Sequence, residues 1–178
     1  MTDLDPLEVR RHLLAADTAT DTDSQGKAYE TLAEYLFESI PGCFTQRNGI
    51  SYFRTEQVDL GVCNGKHQLG LYALPNIVLV ECKNWSSPVD SSTLGYFINI
   101  LASRSVEVGI LIAASGITGD ARSLTSAHGL GVGAIARGMA VLIITTEEIE
   151  KLTCTYDFVN LLQRRFLSAH MNGGLGVP

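Results

Sequence analysis

The chain has 178 residues, 46% of them hydrophobic, which suits one domain with a sizeable core and short appendages. Its four cysteines (Cys43, Cys63, Cys82 and Cys154) form no CxxC pair, so neither a zinc knuckle nor a disulfide scaffold is indicated. The net charge of −6 sits in residues 1–40, with nine acids against three bases, and the neutral remainder is compatible with a polyanionic partner without being a dense basic footprint.

The segment Asp3 to Asp23 is acidic and threonine-rich, with a short helix expected around Leu7–Leu14, and Thr18–Gln25 reads as a polar linker. From Gly26, the positions Tyr29, Leu32, Ala33, Leu36, Phe37 and Ile40 recur at helical spacing until Pro41-Gly42. Glu30 lies about 100° round the helix from Tyr29, at the border of the apolar stripe. It can look toward the sheet edge, while Glu34 and Glu38 turn progressively to solvent. Gln57–Val62 alternates, with Val58, Leu60 and Val62 toward the core and Asp59 on the other face; Glu56 falls opposite Asp59. Asn64-Gly65 is a two-residue turn signal. Ile77–Val80 reads as a buried strand running into Glu81-Cys82-Lys83. Ser91–Ser105 is an expected helix with Leu94, Phe97, Ile98 and Leu101 inward, and Val108–Ala114 a second buried strand. Thr118 can cap a following helix. Met139–Ile144 is another strand, Thr145 and Glu148 have capping-box spacing, Tyr156–His170 is a helix and Asn172–Pro178 a glycine-rich, frayed tail.

Glu81 and Lys83 need a physical reason, because a carboxylate and an ammonium are expensive to bury unpaired. Strand side chains alternate, so these two share a face while Cys82 points away. If the Asp59 strand runs antiparallel beside them, Asp59 and Glu81 come within reach of one cation. Hard oxygen ligands without a His or Cys cluster favour Mg²⁺ or Mn²⁺ over zinc. The bland alternative is a structural ion-pair network. Arg47, Arg54, Lys66, Arg104 and Arg122 are candidate phosphate contacts, each with a solvated-surface alternative. Trp85 could stack on a base, anchor a subunit contact or simply pack half-buried. Asn84 can support the site, and Ser115-Gly116 can offer a backbone contact. His67 reads as a turn residue and His128 as a packed or surface histidine. Gly129-Leu-Gly131-Val-Gly133-Ala134 satisfies a dinucleotide fingerprint, but it follows the helical pattern Leu124–His128 rather than a strand. It reads as a loose helix packed close to the sheet.

Asp59 followed by Glu81-x-Lys83 on the next strand resembles the PD-(D/E)xK phosphodiesterase superfamily. Gly26-Lys27-Ala28-Tyr29-Glu30, Glu81-Cys82-Lys83-Asn84-Trp85 and Gly109–Thr118 are similar to its Mrr-like members. Val58 stands where the family has a proline. The resemblance covers roughly residues 24–152 and implies an α/β fold, a restriction-endonuclease-like αβββαβ core with a mixed central sheet flanked by helices. Residues 1–23 would then be an acidic arm, 24–152 the nuclease-like domain and 153–178 a C-terminal helix and flexible tail. It further implies a metal-dependent endonuclease hydrolysing DNA in restriction, defence or repair. Asp59, Glu81 and the backbone carbonyl of Cys82 would hold Mg²⁺ (or Mn²⁺), Lys83 would position the attacking water, and Glu30 would bind or orient the metal and its water. Mrr-like proteins often carry a separate recognition domain for which this chain has no room, so a partner protein supplying recognition is one expectation. The alternative is a non-cutting DNA-binding module or a subunit of a larger defence complex. Two phosphodiesters in a duplex call for two sites, which a homodimer through the Ser91–Ser105 helix or the last helix would supply. With no basic leader and no apolar run of spanning length, a cytoplasmic chain without a membrane partner is expected.

Overall fold

The capping residues decide where the helices begin. In the computed structural model, which describes residues 3–50, 57–119 and 127–177, the Asp21 side chain accepts the Ser24 N–H at 2.8 Å. Helix α2 (Thr22–Glu38) therefore starts four residues before Gly26, and the second half of the expected linker is helical. Asp5 caps α1 (Pro6–Asp17), Asp90 caps α3 (Ser91–Ser103), and Thr145 with Glu148 makes both bonds of a capping box ahead of α5 (Thr146–Glu150). The remaining helices are α4 (Ala127–Ile135) and α6 (Thr155–Asn172).

Five strands form one mixed sheet in chain order: β1 (Cys43–Ile50), β2 (Gln57–Asn64), β3 (Ile77–Lys83), β4 (Val108–Ala113) and β5 (Ala140–Ile144). The first three pair antiparallel, and β3, β4 and β5 pair parallel. Every residue of β4 and β5 is buried, as parallel strands covered on both faces require. One core joins Val80, Ile110 and Leu142 to α1, α2 and α6 through Leu13, Leu36 and Phe158. The second joins Leu79, Leu111 and Val141 to α3 and α4 through Phe97 and Ala134. This is the α/β sheet between helix layers that the sequence leads one to expect. No described helix is long and apolar enough to cross a membrane.

Three segments differ from expectation. Leu4, Val9, Leu13 and Ala16 are buried in the first core. Leu4 N–H donates to Thr155 Oγ1 and Thr155 N–H to Asp3 Oδ1, both at 2.9 Å, which fastens the N-terminal segment to the start of α6. Asn64 does not make a two-residue turn. Its fully buried amide donates to the carbonyls of Leu71 (2.6 Å), Leu74 (3.1 Å) and Pro75 (3.1 Å), and so organises the whole loop between β2 and β3. The C-terminal tail is docked rather than frayed. Gly176 donates to Val141 O (2.9 Å) and accepts from Ile143 N–H (2.8 Å), adding a short parallel bridge beside β5. Gly131, within α4, makes room for this tail: a Cβ there would fall 2.3 Å from Leu175 Cγ. The glycines of the dinucleotide-like stretch thus lie inside a helix, and no strand-to-helix phosphate loop exists there. The helix that Thr118 was expected to cap, Glu56, Arg54 and Arg122 lie outside the described residues.

Candidate active site

Register places the acids. Leu60 pairs with Val80 and Gly61 with Leu79, so one step outward sets Asp59 across from Glu81. The backbone ladder stops at that step. The Cys82 N–H turns instead to Asp59 Oδ2 at 2.8 Å, tying the carboxylate of β2 to the main chain of β3. By alternation Glu81 and Lys83 share a face, and Lys83 Nζ donates to Glu81 Oε1 at 2.6 Å. Glu81 is only 9% exposed, and its Oε2 is buried without a hydrogen-bond partner. Cys82 points the other way, into the first core.

The electrostatics follow from crowding three acids beside one lysine. Burial pushes the Asp59 carboxyl up, against the Cys82 N–H and the Lys83 charge. Burial and then the Asp59 charge push Glu81 up, with Lys83 opposing. For Lys83 burial acts downward, but the attraction of Glu81 and Asp59 outweighs it and the ammonium is held above its ordinary value. Burial raises the Cys82 thiol far out of the range of a reactive thiolate.

Glu30, from α2, faces Asp59 across a cavity of about 200 Å³ that Gln25, Lys83, Asn84 and Trp85 also line. Its carboxylate is already engaged: Arg47 Nη2 of β1 lies 2.9 Å from Glu30 Oε2, and Nη1 lies 3.5 Å from Glu34 Oε2. Glu34 is thus partly turned to solvent, as the helical spacing suggested, while it also touches Arg47. Arg47, a candidate phosphate contact by sequence, is instead an internal tie between β1 and α2. Its pairing was illegible because the two residues are seventeen positions apart on different elements. Lys66 is likewise engaged, donating to the carbonyls of Tyr72 and Leu74. Arg104 follows α3 and lines a separate cavity with Lys66 and Glu107. His67 accepts the Leu69 N–H within its turn, and His128 sits on α4. Trp85 is 42% exposed, with Lys83 Nζ 5.8 Å from its ring centroid. Ser115 Oγ donates to the Trp85 carbonyl at 2.8 Å, so the serine supports the tryptophan's main chain. Asn84 Nδ2 is buried without a partner.

Few of these side chains could hold a divalent cation. Among the described residues no three acid, histidine or cysteine side chains converge as a ligand set, since Glu30 leans on Arg47 and Lys83 covers one oxygen of Glu81. Two carboxylates remain, one of them with an unpartnered buried oxygen. That all-oxygen donor pair fits Mg²⁺, which keeps several waters and takes one or two carboxylates, better than a metal that needs a closed protein shell. Residues 24–151, from α2 to the end of α5, match the family model of the Mrr catalytic domain, described as restriction endonuclease. No curated protein and no solved structure matches the chain.

Proposed function

The chain belongs to this restriction endonuclease family, and we propose that it cuts DNA with Mg²⁺ or Mn²⁺, using Asp59, Glu81 and Lys83 as the reacting centre. The observation that carries the reading is the step in register that sets Asp59 opposite Glu81 where the β2–β3 ladder ends, with Lys83 bonded to Glu81. Asp59, Glu81 and the neighbouring Cys82 carbonyl would hold the cation. When bound, it supplies charge stabilisation to the phosphoryl oxygens and acidifies a water. Lys83, kept protonated by its two acids, adds a positive charge where negative charge develops on the attacking oxygen. The Cys82 N–H fixes the Asp59 carboxylate, so the site spends little reorganisation in reaching a productive geometry. Arg47 holds Glu30 at the cavity wall, where the glutamate can accept a hydrogen bond from water.

The test is cleavage of supercoiled, linear, single-stranded and branched DNA with Mg²⁺ or Mn²⁺ and with EDTA, beside Asp59→Ala and Lys83→Ala. Loss of one group that stabilises developing charge is worth about 10²–10³ in rate, so both variants should fall at least that far while keeping their fold. Cutting that survives both changes, or that proceeds in EDTA, sinks the proposal.

A further inference from the structure

Trp85 is the single tryptophan of the chain, two residues past Lys83 and on the wall of the same cavity. An isolated exposed apolar residue is ordinary on a protein surface. What sets this one apart is how firmly it is mounted. Ala114 N–H donates to Lys83 O (2.9 Å), Ser115 Oγ to Trp85 O (2.8 Å), and Val89 N–H to Gly116 O (2.8 Å). Thr118 N–H then closes on Val89 O at 2.9 Å. The segment from Lys83 to Val89 that carries the tryptophan is thus tied at three points to residues 114–118. The residue is nevertheless 42% exposed, with the Lys83 ammonium 5.8 Å from the ring centroid. The main chain beneath the ring is thereby held, so stacking has the side chain alone to order and no loop with it.

The location then selects a ligand. A nucleobase hangs from the sugar beside its own phosphate, so a ring this close to Lys83 lies within reach of the base next to a phosphodiester held at Asp59 and Glu81. In an uninterrupted duplex both faces of that base are covered by its neighbours. An unpaired or splayed-out base has a face to offer, and stacking on an aromatic side chain is tolerant of sequence. We infer that Trp85 is a stacking platform for an unpaired nucleobase adjoining the scissile phosphate, so that DNA with single-stranded or branched nucleotides at the cut is preferred over continuous duplex. The inference rests on the nuclease reading only for where the phosphate sits.

The lone tryptophan makes its own probe. Intrinsic fluorescence of the full chain is titrated, with Ca²⁺ in place of Mg²⁺, against oligo(dT), an abasic deoxyribose-phosphate oligomer of equal length, and a continuous duplex. Saturable quenching by oligo(dT), little by the abasic oligomer and little by duplex is expected. By anisotropy of labelled oligo(dT), Trp85→Ala should weaken binding roughly 5- to 150-fold, the range for one stacked base. Trp85→Phe should recover most of the loss, and duplex affinity should change little in either. Equal quenching by the abasic oligomer or by duplex overturns the inference, as does unaltered oligo(dT) binding by a folded Trp85→Ala protein. The two readings fail separately. Duplex plasmid cut with Lys83 dependence but no base-dependent quenching leaves the nuclease and removes the platform. Base-dependent quenching without cutting on any DNA leaves the platform and removes the nuclease.

Discussion

Replacing Asp59 by Asn tests whether the acid pair is held for chemistry or for the fold. The asparagine Oδ1 can still accept the Cys82 N–H, so the tie between β2 and β3 survives. What disappears is a charge that burial disfavours and that pushes Glu81 up. Asp59 is only part-buried and also loses the attraction of Lys83, so the gain belongs at the modest end of relieved active-site strain, about 1 kcal/mol. For a chain of this size that raises Tm by about 2–4 °C in EDTA at pH 7. Mg²⁺ at a hundredfold over its dissociation constant adds about 2.7 kcal/mol to the wild type and little to the variant, so the order of melting reverses. The pH dependence has a definite sign. Because the folded-state carboxyl is raised, its favourable contribution is complete below the ordinary value of 3.8 and is lost as pH rises through the raised value. The variant's advantage in EDTA should therefore shrink as pH falls from 7 toward 4. Thermal melts by circular dichroism, with and without Mg²⁺ at several pH values, measure all of this. An Asp59→Asn protein that melts below wild type in EDTA at pH 7, or that keeps the full Mg²⁺ gain, refutes the reasoning.

Arg47→Met leaves Glu30 and Glu34 facing each other without a cation, and should cost about 1–3 kcal/mol in urea denaturation, less than a wholly buried pair because Arg47 is 26% exposed. A double-mutant cycle with Glu30→Gln should return a coupling above about 0.5 kcal/mol; additivity would mean the contact is idle. Asn64→Ala removes three bonds from the β2–β3 loop, though the Leu71 carbonyl keeps the Leu74 N–H and the Leu74 carbonyl keeps Lys66, and should lower stability by about 1–3 kcal/mol, again by urea denaturation, whereas a change under about 0.5 kcal/mol would show that water replaces the amide. Gly131→Ala drives a methyl group into Leu175 and should expel the tail, read as faster hydrogen exchange at the Ile143 amide, which Gly176 otherwise protects.

Much of this architecture is local information and is legible in the chain. The apolar runs at Ile77–Val80 and Val108–Ala113 announce strands covered on both faces, and the structure buries nearly all of both. Thr145 and Glu148 announce a helix start, because a cap is satisfied by backbone only two or three residues away. Alternation alone puts Glu81 and Lys83 on one face. The contacts between elements are another matter. Periodicity says which side of a helix or strand is inward, but not which distant side chain meets it there. Arg47 reads as a free cation until β1 is laid against α2, and then it belongs to Glu30 and Glu34. Asn64 reads as a turn former until burial obliges its amide to find three carbonyls. Asp3–Asp23 reads as an acidic arm with a short helix and Asn172–Pro178 as a frayed tail, yet Leu4, Leu13 and Leu175 are buried once α6 and α4 supply the other wall. Residue types and spacing thus determined the elements and the chemistry available at Asp59, Glu81 and Lys83. Register and layer packing decided which charges meet, because a buried charge is settled by its nearest partner in space.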